Sequence, residues 1–408
     1  MLLTFGVENF EGIGEMQYLD FIASSKNEFQ DTLYKINDTI NINSGLCVIG
    51  PNGAGKSHLL HALYHFSHIP GSSISTIDFP TFILSKKWLG KPTRFEALYY
   101  CKELKSFLNY ELSVFGGRVI TEKLFSRKNR KAAKNKTIFE RDENSVKLGR
   151  DVNASEEMIN ATIDSGATLI KFARGLNIPE IKSVYNICLS TLLFTPDMVQ
   201  EIGHELVKKA LGCHSLQNIK DESSLEKMLL ASNSRLDICK ELIKSFGIPI
   251  RKIELVKFNH EFDIMIIPDN VDTEDTVKIS LEQAKLFFST GTFNLIVMTL
   301  IIIGCVAYNS IILLDEIDSS FHHKLTLSII DLLRKGNVKT DSQFVITTHD
   351  IMLLDYDFRR DAIITVTKGD DLETRVDKVS DYSVRKDAKL SIKYFSNEFG
   401  ALPNILKD

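Results

Sequence analysis

Three short stretches carry residue types that together could handle a phosphate chain. Gly50-Pro-Asn-Gly-Ala-Gly-Lys-Ser57 fits the pattern G-x-x-x-x-G-K-[ST]. In that pattern glycines let successive backbone N–H groups point into one concavity, and the start of the following helix adds positive potential. Asn52, Gly53, Ala54, Gly55, Lys56, Ser57 and His58 are the expected cradle, with Lys56 reaching the β and γ phosphates and Ser57 a ligand of Mg2+. Ile311-Ile-Leu-Leu-Asp-Glu316 is an apolar run ending in two acids, which would deliver Asp315 to the same Mg2+ and Glu316 to the attacking water. A solvated acidic turn is seldom preceded by so apolar a strand. Gln343-Phe-Val-Ile-Thr-Thr-His-Asp350 is a third such run, ending in His349, a candidate sensor of the γ phosphate. A lone histidine at a strand end is more often structural, but the order glycine loop, acidic strand, histidine strand favours the functional reading.

The elements that must position these residues are legible as alternating patterns. Gly45-Leu-Cys-Val-Ile-Gly50 reads as a buried strand entering the glycine loop. Thr93–Tyr100 and Leu108–Val114 read as extended segments of a small antiparallel sheet broken at Gly116-Gly117. Residues 155–247 have helical spacing, with Leu169, Phe172, Ala173 and Leu176 at i, i+3, i+4, i+7 and Ile202, Leu206 and Ala210 at steps of four. Strands return at 252–256 and 263–267, followed by an apolar helix, the Ile311–Leu314 strand, a helix from Phe321 and the Gln343–Thr347 strand. The expected organisation is α/β: an ATPase-type head from 1–69, with the glycine loop, and 250–408, interrupted by a β-meander and helical arm at 70–249.

Hydrophobic residues at 44%, charged residues at 25% and a net charge of −4 over 408 residues describe an ordinary soluble chain and exclude fibrous or wholly disordered classes. Six cysteines, at 47, 101, 188, 213, 239 and 305, contain no C-x-x-C pair, so reduced thiols in the cytoplasm are expected. The first residues lack the pattern of a signal peptide. Phe293 to Tyr308 is nearly all apolar but falls short of the roughly 20 residues of a membrane span, so a core helix is expected and no membrane association. No repeat at periods of 20–50 residues is present.

With these motifs in place, the chain resembles an ABC-type ATPase head of the RecF/SMC/OLD branch. Val7-Glu-Asn-Phe-Glu-Gly-Ile13 is similar to that branch's first strand, and Glu316-Ile-Asp-Ser-Ser-Phe-His-His323 to its E-I-D-x-x-L-H-P element, with Asp318 the D-loop residue and His323 in place of proline. Phe288-Ser-Thr-Gly-Thr292 stands where the signature would be, without the fuller L-S-G-G-Q form. The resemblance implies that Ser289, Thr290 and Gly291 face the nucleotide of a second copy, so that a homodimer, or a higher oligomer of dimers, sandwiches two ATP molecules with Mg2+. Phe358-Arg-Arg-Asp361, Ser383-Val-Arg-Lys-Asp387 and Tyr394–Pro403 resemble the tail of the abortive-infection class of AAA-family "ATP/GTP phosphatase" ATPases. That class implies an anti-phage role beside an effector encoded nearby, of Toprim or HNH nuclease type. A DNA-maintenance ATPase of RecF or SMC kind is the alternative, although the insertion shows no sustained heptad repeat.

Other features are less decisive. His58, His61, His65 and His68 share one helix face, which could bind metal or simply pack, no acid completing a set nearby in sequence. Seven basic residues and no acid lie between Lys123 and Lys136, an exposed, mobile segment that could contact DNA or RNA phosphates or could be a solvated loop. Asp355-Tyr-Asp357 imitates a nuclease D-x-D, but too little chain remains after it for that domain, so no intrinsic nuclease is expected.

Overall fold

Alternation of apolar and polar residues shapes most of the first 150 positions into strands. The computed structural model describes all residues except 25–27, 73–79, 151, 154, 174, 213–220, 259–260, 270–276, 320, 338–339, 357, 384–387 and 403–408. Internal packing divides the chain into a first unit, residues 1–193 with 343–408, and a second, residues 194–342. The stretch 70–249 is thereby shared, 70–193 in the first unit and 194–249 in the second.

The first unit opens with β1 (Leu2–Glu8), β2 (Gln17–Asp20), the small hairpin β3 (Leu33–Lys35) and β4 (Asn41–Asn43), and β5 (Gly45–Ile49). After the helix Lys56–His68 come β6 (Thr93–Cys101), β7 (Ser106–Phe115), β8 (Arg118–Lys128), β9 (Lys136–Arg141) and β10 (Val146–Leu148). The meander is not a separate small sheet: β6 pairs with β1, giving one seven-stranded antiparallel sheet in the order β10-β9-β8-β7-β6-β1-β2. Nor does it stop at the glycines. Gly116 and Gly117, both at positive φ, form the β7–β8 turn, and β8 and β9 run through the basic stretch, so that segment is an ordered hairpin. Its alternation persists, with Val119, Glu122, Leu124 and Ser126 buried.

The glycine-loop helix buries Leu59, Leu60, Leu63 and Phe66, and Phe66 meets this sheet. The Phe66 ring lies 5.5 Å from Phe5, 5.4 Å from Phe95 and 5.5 Å from Tyr110, centroid to centroid. Burying one such ring contributes about 2 kcal/mol. On β8, wholly buried Glu122 accepts from Tyr110 Oη at 3.0 Å and from Leu169 N at 2.5 Å, with Arg141 3.6 Å away. Burial pushes its pKa up, partly offset by those donors and by Arg141. This cluster docks the short helix Leu169–Ala173. The helix expected to include Leu176 ends at Ala173, because Gly175 and Pro179 interrupt the helical pattern just beyond it.

The second unit begins at the last residue of β11 (Thr191–Phe194) and holds β12 (Ile250–Phe258), β13 (Glu261–Pro268), β14 (Ile279–Ser280) and β15 (Ile311–Leu314). β12, β13 and β14 form an antiparallel sheet. In the helix Pro196–Ala210 the backbone kinks at Ile202, which is 43% exposed, while Val199, Gly203, Leu206, Val207 and Ala210 are buried. The step-of-four reading that includes Ile202 therefore names the wrong face at its first position. The helix Thr290–Ala307 is long and apolar enough by composition to cross a membrane, yet every residue from Phe293 to Cys305 is buried. Gly203 and Gly304 allow this core helix close contact: a Cβ on Gly203 would lie 3.1 Å from Val297 Cγ1, and one on Gly304 2.6 Å from the Ala210 carbonyl.

The chain returns to the first unit with β16 (Gln343–Thr348), β17 (Ile363–Lys368) and β18 (Thr374–Lys378). β5 lies between β16 and β17, parallel to both, and β18 adds antiparallel to β17. β5 and β16 are buried along their whole length, as a covered parallel sheet requires.

Candidate nucleotide site

Strand β5 delivers the glycine loop, and two left-handed residues shape it. Gly53 has φ +74° and Gly55 φ +104°, and a Cβ at Gly55 would lie 2.2 Å from Thr374 Oγ1, so only glycine fits there. The Lys56 ammonium is held over the loop, donating to the carbonyls of Gly50 at 2.9 Å and Pro51 at 3.1 Å. His349 Nδ1 lies 3.4 Å from the same nitrogen, so β5 and β16 bring two of the sequence-derived candidates together. Asn52 and Gly53 are exposed at the mouth of the loop, Ser57 and His58 are half-buried, and Ala54, Gly55 and Lys56 are buried.

The loop is braced by residues far away in sequence. Thr374 Oγ1 on β18 donates to the Ala54 carbonyl at 2.9 Å, and Thr374 N donates to the Gly12 carbonyl at 2.9 Å. Gly12 N in turn donates to His58 Nδ1 at 3.2 Å. That nitrogen is therefore the acceptor, leaving the proton on Nε2, 3.5 Å from Glu11 Oε2. His61 Nδ1 is 3.2 Å from Glu11 Oε1. Glu11 thus lies beside two of the four histidines, but it completes no metal-binding set with them. The four histidines nevertheless diverge: His65 packs on the Phe10 ring, its pKa held low by burial, and His68 lies over Tyr64. Among the described residues no group of three or more histidine, cysteine or acidic side chains could hold a metal ion.

In the second unit, β15 ends where Asp315 N donates to the Phe194 carbonyl at 3.0 Å. Glu316 comes next with φ +47°, a left-handed conformation that costs a non-glycine residue about 1–2 kcal/mol and that clusters at functional turns. Ser319 N donates to the Glu316 carbonyl at 3.0 Å, closing a turn that also holds half-buried Asp318. Ser320 lies outside the described residues. A cavity of about 20 Å³, room for one water, touches Asp315, Glu316, Asn294 and Ser319. Ser289 caps the core helix, its Oγ accepting from Thr292 N at 3.3 Å, and Thr290 and Gly291 form its first turn. Just before it Leu286 is 85% and Phe287 67% exposed.

Sequence reasoning missed Glu11, Gly12 and Thr374, because no spacing rule links a loop to partners as far as 320 positions away. It also gave no role to Phe358-Arg-Arg-Asp361, which is a structural clamp. Buried Arg359 donates to Asp361 through Nε at 3.0 Å and Nη2 at 2.8 Å, and to the carbonyls of Glu28 and Ser24. Asp361 also accepts from Ser24 N, Ser24 Oγ and Asn43 Nδ2. Burial alone would raise the Asp361 pKa, but these donors outweigh it and hold it below the ordinary value. Asp355 is likewise occupied, accepting from Ser391 N at 3.0 Å and from Ser391 Oγ, while Asp357, residues 384–387 and Pro403 lie outside the described residues. Tyr394 closes the tail by donating to the Ala401 carbonyl at 2.6 Å.

Residues 222–355 match the family model described as "AAA domain, putative AbiEii toxin, Type IV TA system". No curated protein matches the sequence. Among solved structures, an SMC head bound to the C-winged helix domain of ScpA is similar at 15% identity and TM-score 0.51, over 92% of this chain and 96% of that one. The SMC head domain of Thermotoga maritima matches at 13% identity and TM-score 0.40, over 92% and 98%. The cbiO1 component of an ABC transporter complex of Clostridium perfringens matches at 12% identity and TM-score 0.34, over 90% and 92%. The first of these shows the fold: a P-loop head of SMC type.

Proposed function

We propose that this chain, an ABC-type, SMC-like P-loop ATPase of the abortive-infection class, binds and hydrolyses ATP and uses its nucleotide state to control a partner. The observation that carries the reading is the glycine loop, shaped by Gly53 and Gly55 at positive φ, with Lys56 drawn over its own carbonyls beside His349. Lys56 stabilises charge on the γ phosphate, Glu316 positions the attacking water for in-line displacement, and His349 senses the terminal phosphate. Ser57 and Asp315 are the residues that would hold Mg2+, which supplies neutralisation of the phosphate charge. Ser289, Thr290 and Gly291 act on the nucleotide of a second copy, offering a capped helix start, with Asp318 nearby in the same reading.

The biological role rests on analogy and not on residues. The matched model carries the words AbiEii toxin and Type IV TA system, which supports a role in abortive infection; a cytoplasmic sensor or scaffold in anti-phage defence that acts through a separate effector nuclease is the role proposed on that analogy. A head of this fold bound to a winged-helix domain supports the idea that such heads take protein partners. The test is ATP hydrolysis by the purified chain and its Lys56→Ala and Glu316→Gln variants. Turnover is expected in the parent and lost in both variants; unchanged hydrolysis in both overturns the reading.

A further inference from the structure

The structure points to a second binding surface, for the phosphate backbone of duplex nucleic acid, at the tip of the β8–β9 hairpin. We propose this independently of the nucleotide reading, because none of its residues belongs to the glycine loop, to β15 or to the helix cap at Ser289. Beyond the last β8–β9 pair, Ser126 with Lys136, the chain presents Arg127, Lys128, Arg130, Lys131 and Lys134, all exposed. The neighbouring β6–β7 turn adds exposed Lys102 and Lys105.

This is a built surface and not a loose tail. Asn129 N donates to the Lys105 carbonyl at 2.8 Å, and Lys128 Nζ to the Leu104 carbonyl at 3.0 Å, which fixes the tip to the β6–β7 turn. Asn129 Oδ1 accepts from Asn37 Nδ2 at 2.7 Å, which ties it to the β3–β4 hairpin. The Arg127 guanidinium lies 5.3 Å from the Phe107 ring, a further anchor. Among the described residues, Lys105, Arg127, Arg130, Lys131 and Lys134 have no carboxylate partner. Proteins ordinarily intersperse the two signs on a surface, and a chain of net charge −4 that concentrates unpaired cations on one fixed tip is built to meet an external polyanion.

The composition of the tip selects which polyanion. Residues 127–136 contain no aromatic side chain, so there is no platform on which single-stranded bases could stack. They contain no large aliphatic residue either, which argues against a lipid surface and against a protein interface with apolar anchors. Cations alone neutralise phosphates, and they do so without reading sequence.

The experiment is fluorescence anisotropy on the full chain with a labelled duplex DNA, the matching duplex RNA and the single-stranded DNA, across a salt series. A variant Arg130→Glu/Lys131→Glu/Lys134→Glu runs in parallel, with thermal melting as the check on folding. The expected result is duplex binding that weakens steeply with salt, with a log–log slope of about −3 to −5 for some four or five phosphate contacts. The triple variant melts as the parent does and binds at least about tenfold more weakly. The DNA and RNA arms decide which duplex is preferred. If the variant fails to fold, Lys131→Gln/Lys134→Gln replaces it, with a smaller loss expected. Absence of duplex binding, preference for the single strand, equal binding by the folded variants, or binding only to anionic vesicles would each overturn the proposal. Loss of ATP turnover in Lys56→Ala with duplex binding intact separates this surface from the nucleotide site.

Discussion

The glycine loop and the turn after β15 are both candidate phosphate-handling regions, and they are built in opposite ways. The loop is held by its own unit: Thr374 on its carbonyl, His58 and Gly12 behind it, and Lys56 resting on Gly50 and Pro51. The turn at Glu316 keeps a strained residue and a water-sized cavity, and the helix cap at Ser289 comes after two exposed apolar residues, Leu286 and Phe287. The first region is thus held by hydrogen bonds within its own unit, whereas the second exposes the groups that the proposed function assigns to a second copy. The two should therefore fail differently, the first through the integrity of its frame and the second through turnover with the frame intact.

The frame is tested most strongly at the Arg359–Asp361 clamp. Asp361→Asn leaves a buried guanidinium without its carboxylate and should destabilise the protein by about 3–5 kcal/mol in denaturant unfolding. The pH dependence has a definite sign. The folded pKa of Asp361 is depressed, so its contribution is present above the ordinary carboxylate value near 3.9 and is lost as pH falls through the folded value. The stability gap between parent and variant should accordingly narrow below about pH 4. A gap that widened in acid would reverse the assignment. Turnover per folded molecule should be unchanged at neutral pH.

The second region is tested at Ser289. Ser289→Arg places a bulky cation where the proposed partner phosphate approaches and removes the hydroxyl that accepts from Thr292 N. While accepting from Thr292 N, that hydroxyl keeps its own proton to donate to the proposed phosphate; loss of a preorganised donor typically costs about 10²–10³ in turnover, or about 3–4 kcal/mol of barrier, whereas a lost helix cap costs only about 1 kcal/mol of stability. The check is hydrolysis together with binding of a fluorescent ATP analogue: turnover should collapse while binding persists. Parallel loss of binding would place Ser289 at the nucleotide of its own copy.

Much of the fold and of the motif-bearing elements is legible in the sequence because those signals are local. The strands ending at Gly50, Asp315 and His349 are continuous apolar runs bounded by turn residues, and each forms where the pattern puts it. The features that escape a sequence reading depend on pairing between distant segments. Where β6 joins β1, Phe95 and Phe5 stack across the strands and Phe66 of the glycine-loop helix packs on both, a long-range arrangement that no local rule expresses. The basic stretch reads as mobile because its tip is polar. Its order comes from the buried alternate residues of β8 and from Asn129 held by two other turns. Ile202 fits the helical spacing but sits at a kink that turns it outward. Phe358-Arg-Arg-Asp361 is recognisable as a motif, yet its role as a buried clamp needs Ser24, Glu28 and Asn43, more than 300 positions earlier.

The smallest expected effect sharpens the contrast between the two regions, since it asks how much of the loop's readiness comes from bracing. Thr374→Val keeps the shape and burial of the side chain and removes only the hydroxyl that donates to the Ala54 carbonyl. A single neutral hydrogen bond of this kind is worth about 1 kcal/mol net. If bracing preorganises the loop, that energy appears in nucleotide binding as a roughly fivefold weaker Kd, with turnover at saturation nearly unchanged. If bracing serves only the stability of the first unit, the loss appears in the melting temperature and Kd stays put. Calorimetric titration of a non-hydrolysable ATP analogue, run beside thermal unfolding of the same two proteins, distinguishes these results. An unchanged Kd would mean that Gly53, Gly55 and Lys56 shape the cradle without help from β18.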